Sequence, residues 1–194
     1  MAHHIYTTPG FLVHSSASGE AGKYYLVFTR DLGMIGATAQ GVRLSQSKLR
    51  YYTQDFALSL FSVVRGKEIW RMTGAKDIEG KGSISNTENR KLYVRILTLL
   101  KRLLPGEEKN ERLFEIIECF HDFLVSENLG KEERESTEYL TVLRILNSLG
   151  YIHTQNLELF CNDNQLQREV LEQLKPQKDE VLKAINNALK ESQL

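Results

Sequence analysis

The stretch KYYLVFTRDLGMIGATAQ, residues 23–40, decides the fold of the first part of the chain. KYYLVFTR is rich in aromatic and β-branched residues, and MIGATAQ alternates weakly between apolar and small residues, so both predict β-strands. The tripeptide Asp31-Leu32-Gly33 between them predicts a tight turn, with glycine where a positive φ is needed. The stretch therefore predicts a strand–turn–strand unit within a small β-structure.

Three further strands are predicted around this unit. Residues 6–16 precede it. Residues 57–65 and 68–75 follow it and flank Gly66-Lys67, a two-residue hairpin signal. Five strands within about 75 residues match an OB-type barrel. A small open sheet or an SH3-like barrel would fit the same strand count.

The chain changes character near residue 80. Residues 77–87 are polar and rich in glycine and serine, which is typical of a linker. Ser85 and Glu88 then have the spacing of a capping box at a helix N-terminus. Apolar residues recur at helical spacing from there onward, and Pro105-Gly106 and Gly150 are placed to end helices.

These patterns predict an α+β protein with two domains. The first is a five-stranded OB-type β-barrel over residues 1–80, and the second is an all-α helical domain over residues 81–194.

Charge is unevenly distributed, although the whole chain carries 25 Lys and Arg against 25 Asp and Glu. Residues 1–82 contain 10 basic and 6 acidic residues, whereas residues 83–194 contain 15 basic and 19 acidic ones. Within residues 43–76 there are seven basic residues and two acidic ones. This excess predicts a polyanion site on the barrel and a different kind of partner for the helical half. The alternative is that the charges only keep two small domains in solution.

The basic excess begins where the third strand runs into Gly41. A strand followed by a basic loop is how small barrels often present cations to nucleic acid. A tyrosine beside cations also suits base stacking. The predicted DNA-binding residues are Arg30, Arg43, Lys48, Arg50, Tyr51, Arg65, Lys67 and Arg71.

Two tyrosine pairs support this hypothesis. Tyr24-Tyr25 and Tyr51-Tyr52 are adjacent pairs, and neighbouring residues of a strand face opposite sides. We therefore expect one member of each pair to leave the core. The alternative is that these rings line the barrel rim or face the helical half.

No catalytic or metal-binding motif competes with a binding function. The sequence lacks a P-loop and the GxGxxG, HExxH and GxSxG patterns. Cys119 and Cys161 are the only cysteines, and His3, His4 and His14 lack further ligands in register. We therefore predict a protein that is not an enzyme and that needs no metal or other cofactor.

The N-terminus and the hydropathy pattern predict a cytoplasmic location. MAHHIYTTPG, residues 1–10, has neither the basic nor the apolar region of a signal peptide. No apolar run approaches the ~20 residues that span a bilayer. We expect no membrane partner.

The segment GEAGKYYLVFTRDLGMIGATAQGVRLSQSKLRYYTQDF, residues 19–56, resembles the N-terminal domain of RecO, a family of bacterial recombination mediator and DNA repair proteins. The likeness is an ordered set of short elements rather than one motif. These elements are Gly19-Glu20, Phe28-Thr29, Gly33, Ala39-Gln40-Gly41-Val42-Arg43, Ser47-Lys48-Leu49-Arg50 and Gln54-Asp55-Phe56, and later Leu146-Asn147-Ser148-Leu149-Gly150-Tyr151, which is similar to an LxxLGY element of the helical domain.

The resemblance implies an OB-fold that binds single- and double-stranded DNA, promotes annealing and works with RecR in the RecF-type pathway. It also implies that the helical domain can dock the tail of single-strand-binding protein, for which Arg95, Arg102 and Arg144 are candidate cations. Gln40 stands where the family usually has lysine, and of its four zinc-binding cysteines only Cys161 remains. These departures favour a short form without zinc and leave open an OB-fold adaptor that docks a protein and not DNA.

Overall fold

The computed structural model describes residues 4–152 and 155–191. His3, one of the histidines considered above, lies outside the described residues. Two compact units are present. The first comprises the described residues up to Lys81 together with Leu104–Glu111, and the second comprises Gly82–Leu103 and the described residues from Arg112 onward.

The first unit is a closed barrel of five strands. They are β1 (Ile5–Ser18), β2 (Gly22–Thr29), β3 (Gly33–Ala39), β4 (Leu58–Arg65) and β5 (Trp70–Lys76). Their order around the barrel is β1-β2-β3-β5-β4, with β3 and β5 parallel and all other pairs antiparallel. The predicted OB-type barrel is therefore confirmed, and the open-sheet alternative is wrong.

The long first strand closes the barrel because it belongs to two neighbours. Its first half pairs with β4 from Ile5 onward, and its second half pairs with β2 from Gly10 to Ser18. The pairing with β2 shifts register between Leu12 and His14. Such a bulge bends a strand and increases its twist, which lets one strand serve both sides of the barrel.

Alternating side chains of all five strands fill the barrel. Its core contains Leu12, Tyr25, Val27, Ile35, Ala37, Ala39, Val42, Phe61, Val63, Trp70 and Met72. The predicted turn before β3 is confirmed, since Gly33 has a φ of 70°. A Cβ there would also lie 2.3 Å from the Glu108 carbonyl oxygen, and Gly106 accepts a hydrogen bond from the Met34 N–H at 3.2 Å. The segment Leu104–Glu111 thus packs onto the start of β3.

Two details of the predicted barrel are wrong. The connection between β4 and β5 has four residues, not two, because Arg65 pairs with Trp70 and the Gly66 N–H donates to the Ile69 carbonyl at 3.1 Å. The connection between β3 and β4 contains a single helical turn, α1 (Leu49–Tyr52), that was not predicted. Tyr51 and Tyr52 therefore lie on a helix, and strand alternation does not place them.

The second unit is helical, as predicted. Its helices are α2 (Thr87–Leu103), α3 (Glu111–Ser126, whose first residue clusters with the barrel), α4 (Lys131–Ser148), α5 (Glu158–Cys161), α6 (Arg168–Leu174) and α7 (Lys178–Glu191), with 3-10 turns at Gln155–Leu157 and Lys175–Gln177. The helix α4 is central, since it packs against α2, α5, α6 and α7. Its predicted end is confirmed: the Gly150 N–H donates to the Asn147 carbonyl just beyond the last turn.

The N-cap of α2 differs from the prediction. Asn86, not Ser85, caps this helix: its Oδ1 accepts hydrogen bonds from the N–H groups of Glu88 at 2.9 Å and Asn89 at 3.1 Å. Asparagine is as good an N-cap as serine, so the sequence motif placed the helix start one residue too early.

Candidate nucleic-acid interface

A cationic pocket opens on the barrel beside the β1–β2 turn. Its volume is about 280 Å³. Strand β2 contributes Lys23 and Tyr25 to its lining, and the segment after β3 contributes Val42 and Arg43. The remaining lining residues are Arg50 of α1 and Thr53, which directly follows that helix. Three parts of the chain thus bring three basic side chains to one cavity.

Arg43 is placed by the backbone around it. Gly41 has a φ of 67°, which lets the chain leave β3 sharply. The Arg43 N–H then donates to the Ala21 carbonyl at 3.0 Å, and its Nη1 donates to the Glu20 carbonyl at 3.1 Å. The β1–β2 turn and the segment after β3 are therefore joined by these hydrogen bonds, and Arg43 is held at the wall of the pocket.

The floor of the pocket is a buried hydroxyl pair. The Tyr25 hydroxyl donates to Thr53 Oγ1 at 2.9 Å, and Thr53 Oγ1 donates to the Leu49 carbonyl at 2.8 Å. Burial raises the pKa of the Tyr25 phenol, and the Asp55 carboxylate adds to this rise, whereas the bond to Thr53 opposes it. Tyr25 therefore stays neutral at physiological pH and anchors α1 to the barrel.

Lys23 is a member of the pocket that sequence reasoning missed. Its Nζ donates to the Ser15 hydroxyl at 3.3 Å and lies 5.9 Å from the centre of the Tyr25 ring. Ser15 in turn donates to the Asp55 carboxylate at 2.6 Å. Lys23 precedes the basic stretch by 20 positions, so only the folded barrel brings it to Arg43 and Arg50.

The pocket cations are not neutralised by ion pairs. Within residues 4–152 and 155–191, no carboxylate lies at ion-pair distance from Lys23, Arg43 or Arg50. Three positive charges around one cavity repel each other, and an anion would relieve that repulsion. The arrangement is therefore suited to binding a negatively charged group.

Exposed apolar and basic residues are sequence neighbours of the pocket residues, and Leu44, Lys48 and Tyr51 are here called the rim. Tyr51 exposes 73% of its surface and follows the pocket residue Arg50, and Leu44 exposes 57% and follows Arg43. Lys48 is also exposed and precedes α1. An exposed ring and an exposed leucine beside cations provide surfaces on which bases can stack while phosphates are held.

The tyrosine pairs behave differently from each other. Tyr25 is fully buried, whereas Tyr24 is half-buried with its ring over Gly36. The expectation that one tyrosine of each pair leaves the core is therefore met in part by this pair. Tyr24 is outside the core, but its ring covers β3 and is not fully exposed to solvent. Tyr52 is half-buried and Tyr51 is exposed, for the helical reason given above.

The predicted residue Arg65 is engaged within the barrel unit. Its guanidinium lies 4.8 Å from the centre of the Trp70 ring and forms a short ion pair with the Glu107 carboxylate. The other oxygen of Glu107 accepts a hydrogen bond from the Trp70 indole N–H at 3.0 Å. Arg65 thus holds the segment Leu104–Glu111 against the β4–β5 loop, and its charge is balanced by an acid.

The other predicted cations lie outside the pocket. Lys67 is exposed in the β4–β5 loop, Arg71 is exposed on β5 opposite Thr38 of β3, and Arg30 is half-buried at the β2–β3 turn. The structure therefore brings Arg43 and Arg50 together with Lys23, and it distributes Arg30, Arg65, Lys67 and Arg71 over the rest of the barrel.

Two of the three candidate cations of the helical unit are already hydrogen-bonded to other residues of that unit. Arg144 is only 2% exposed and donates to the carbonyls of Phe160, Asn164 and Gln165, so it holds the segment after α4 in place. Burial lowers the pKa of this guanidinium. Arg95 forms a two-pronged pair with Glu138, at 2.8 and 2.6 Å. The placement of Arg144 on a docking surface is wrong, whereas Arg102 is exposed.

Metal-binding clusters and membrane-spanning helices are absent from the described residues. No three His, Cys, Asp or Glu side chains of that part of the chain lie where they could share a metal ion. None of its helices combines the length and apolar composition needed to cross a bilayer. The prediction that the protein needs no metal stays a prediction.

The topology of the closed barrel defines the class of this chain as an OB-fold protein with an appended helical unit. Residues 1–80 match the family described as "Recombination protein O N terminal". The chain is 30% identical over 115 residues to the DNA repair protein RecO of Dehalococcoides mccartyi. The aligned segment covers 59% of this chain and 46% of that protein. It is 27% identical over 160 residues to the RecO protein of Heliobacterium modesticaldum, and this alignment covers 82% of this chain and 56% of that protein.

A third relative, the RecO protein of Alkaliphilus metalliredigens, is 26% identical over 138 residues, covering 71% of this chain and 53% of that protein. The chain is therefore similar to RecO proteins, and its residues 1–80 match the N-terminal domain of that family. It spans about half the length of the curated relatives that it matches.

Proposed function

We propose that this chain is a DNA-binding protein of recombinational DNA repair that acts by binding and not by catalysis. The observation that carries the proposal is the pocket in which Lys23, Arg43 and Arg50 converge without ion pairs among the described residues. The names of the curated relatives, which are DNA repair proteins, support the same role. The pocket supplies charge, and the rim at Leu44 and Tyr51 supplies stacking surface.

The proposed mechanism is electrostatic capture followed by stacking. The basic side chains displace condensed counterions from the phosphates of single- or double-stranded DNA, and one or more bases stack on Tyr51. A surface that holds two strands loosely in this way raises their local concentration and promotes annealing. Cooperation with a RecR-like partner is part of the same proposal and is supported by the similarity to RecO proteins.

A salt titration of DNA binding tests the proposal. The full chain is titrated against a fluorescent mixed-sequence strand of about 16 nucleotides, the upper end of the site size of one OB fold, and against its duplex. We expect the logarithm of the binding constant to fall linearly with the logarithm of salt concentration, with a slope of about 0.7 per neutralised phosphate on the single strand. No binding at low salt would contradict the proposal.

The second candidate function is an adaptor that docks a protein through the barrel. Exposed apolar side chains at the start of β1 and in the β4–β5 loop favour it: Ile5, Tyr6 and Ile69 are 58%, 39% and 36% exposed. Gln40, in place of the family's usual lysine, is also exposed and uncharged. If the salt titration shows no DNA binding, this becomes the leading function.

A partner for the helical unit is proposed separately. Docking of the acidic tail of single-strand-binding protein would depend on Arg102, because Arg95 and Arg144 are engaged inside the unit. A fluorescent acidic tail peptide should bind the full chain, and Arg102→Glu should weaken that binding. Equal binding by this variant would remove Arg102 from the proposed surface.

A further inference from the structure

The size of the cationic pocket limits what it can hold. Its volume of about 280 Å³ lies just below the range of ordinary small-molecule sites, which begins near 300 Å³. A run of nucleotides needs an open groove, whereas a cavity of this size accommodates one small group. Its floor is closed by the buried residues Tyr25, Val42 and Thr53. The opposite side is open to solvent, so a continuous strand can run across the mouth, whereas a group at the end of a strand can point into the pocket without the strand turning back.

The charge of the pocket exceeds what an internal phosphate requires. An internal phosphodiester carries one negative charge and two free oxygens. A terminal phosphate monoester carries about −1.5 to −2 charges near neutral pH and three free oxygens. The three cations of the cavity, less the one negative charge of Asp55 that Ser15 links to Lys23, leave two positive charges, which match the monoester more closely than the diester.

The donors available in the pocket suit the same group. The hydroxyl protons of Tyr25 and Thr53 are already donated, to Thr53 Oγ1 and to the Leu49 carbonyl. The donors left for an anion are therefore the charged ones: Arg50, the part of Arg43 not bound to the β1–β2 turn, and the remaining protons of Lys23. Charge-assisted hydrogen bonds of this kind are about twice as strong as neutral ones.

From this geometry we infer that the pocket formed by Lys23, Arg43 and Arg50 binds the terminal phosphate monoester of a DNA strand. The inference rests on the proposed DNA-binding function and gives this site its preferred ligand. The end of the strand is held in the pocket, and the adjoining bases contact the rim at Leu44 and Tyr51. The protein would then distinguish phosphorylated strand ends from hydroxyl ends and from continuous DNA.

The test compares the same short strand with different ends. The full chain is titrated with strands that carry a 5′-phosphate, a 3′-phosphate, hydroxyls at both ends, or a 5′-methyl phosphate, which keeps the phosphorus but lacks the second charge. We expect one of the two monoesters to bind about tenfold tighter than the hydroxyl strand, the effect of one good charge-assisted hydrogen bond. The methyl phosphate should lose most of that gain.

A pair of matched variants assigns the preference to the pocket. Lys23→Gln should abolish the preference for the monoester, whereas Lys76→Gln, which removes an exposed lysine of β5 that does not line the pocket, should preserve it. Equal affinity for all four strands would overturn the inference while leaving the proposed DNA binding intact. Absence of binding to every strand would overturn both. A preference that survives in Lys23→Gln would show that the terminal phosphate is bound elsewhere.

Discussion

A variant of Tyr51 distinguishes the contribution of base stacking to DNA binding from the contribution of charge. It is 73% exposed on α1, next to Arg50 of the pocket. Tyr51→Ala should weaken single-strand binding by about 1–3 kcal/mol, the usual contribution of one stacked base, without changing the salt slope. Fluorescence anisotropy at several salt concentrations measures both quantities. Tyr151→Ala, which removes another exposed tyrosine from the helical unit, is the matched control; an unchanged affinity in Tyr51→Ala would exclude stacking on this ring.

Glu107 is expected to restrain the basic surface. It balances the charge of Arg65 beside Trp70, so Glu107→Gln should free this guanidinium for phosphate while keeping an acceptor for the indole N–H. We expect tighter DNA binding and a salt slope steeper by about 0.7 on a single strand. Glu68→Gln removes the same charge from the exposed β4–β5 loop and should have the smaller effect. Equal effects of the two variants would mean that Arg65 does not contact DNA.

Residue roles were the least predictable part of the site. Arg43, Lys48, Arg50 and Tyr51 could be proposed because they are close together in sequence, and the structure shows them exposed around α1. Lys23 could not be proposed from the sequence, because its place in the pocket depends on how β2 pairs and on where the chain turns after β3. Conversely, Arg144 lies within the stripe of leucines of α4, and a charge at such a position is a signal of a buried, hydrogen-bonded group.

At the scale of elements, the N-cap of α2 gives a direct test of the local structure. Asn86→Ala should lower the free energy of unfolding by about 1 kcal/mol, because the N–H groups of Glu88 and Asn89 lose their acceptor. Ser85→Ala should change it by less. Urea denaturation followed by circular dichroism measures both, and a larger loss in Ser85→Ala would restore the capping box predicted from the sequence.

The strands were predictable because alternation and small residues mark a barrel wall locally. Their order was not fixed by those patterns, since the parallel pairing of β3 with β5 joins segments about 30 positions apart. The segment Leu104–Glu111 is another tertiary feature: it lies between α2 and α3 in sequence but contacts the start of β3 and Trp70. A chain cut at residue 82 would therefore lack part of the barrel unit, so DNA binding and partner binding are best separated with point variants of the full chain.

At the scale of the whole molecule, the central claim is that the basic side chains beside α1 bind DNA. Three of the cations predicted from the sequence, Arg43, Lys48 and Arg50, are exposed on this surface. Replacing all three with glutamate removes three sites of counterion release and adds three negative charges. The matched control is the triple glutamate variant of Lys101, Lys183 and Lys190, exposed lysines of α2 and α7 that undergo the same change of charge.

The most direct test is the salt dependence of single-strand binding in the unmodified chain and these two variants, with circular dichroism confirming that each is folded. The Arg43, Lys48 and Arg50 variant should bind at least about tenfold more weakly, and its salt slope should be flatter by about 2, the sum for three phosphates. The control should keep the slope of the unmodified chain. An unchanged affinity and slope in the first variant, or an equal loss in the control, would contradict the account and favour the protein-docking function.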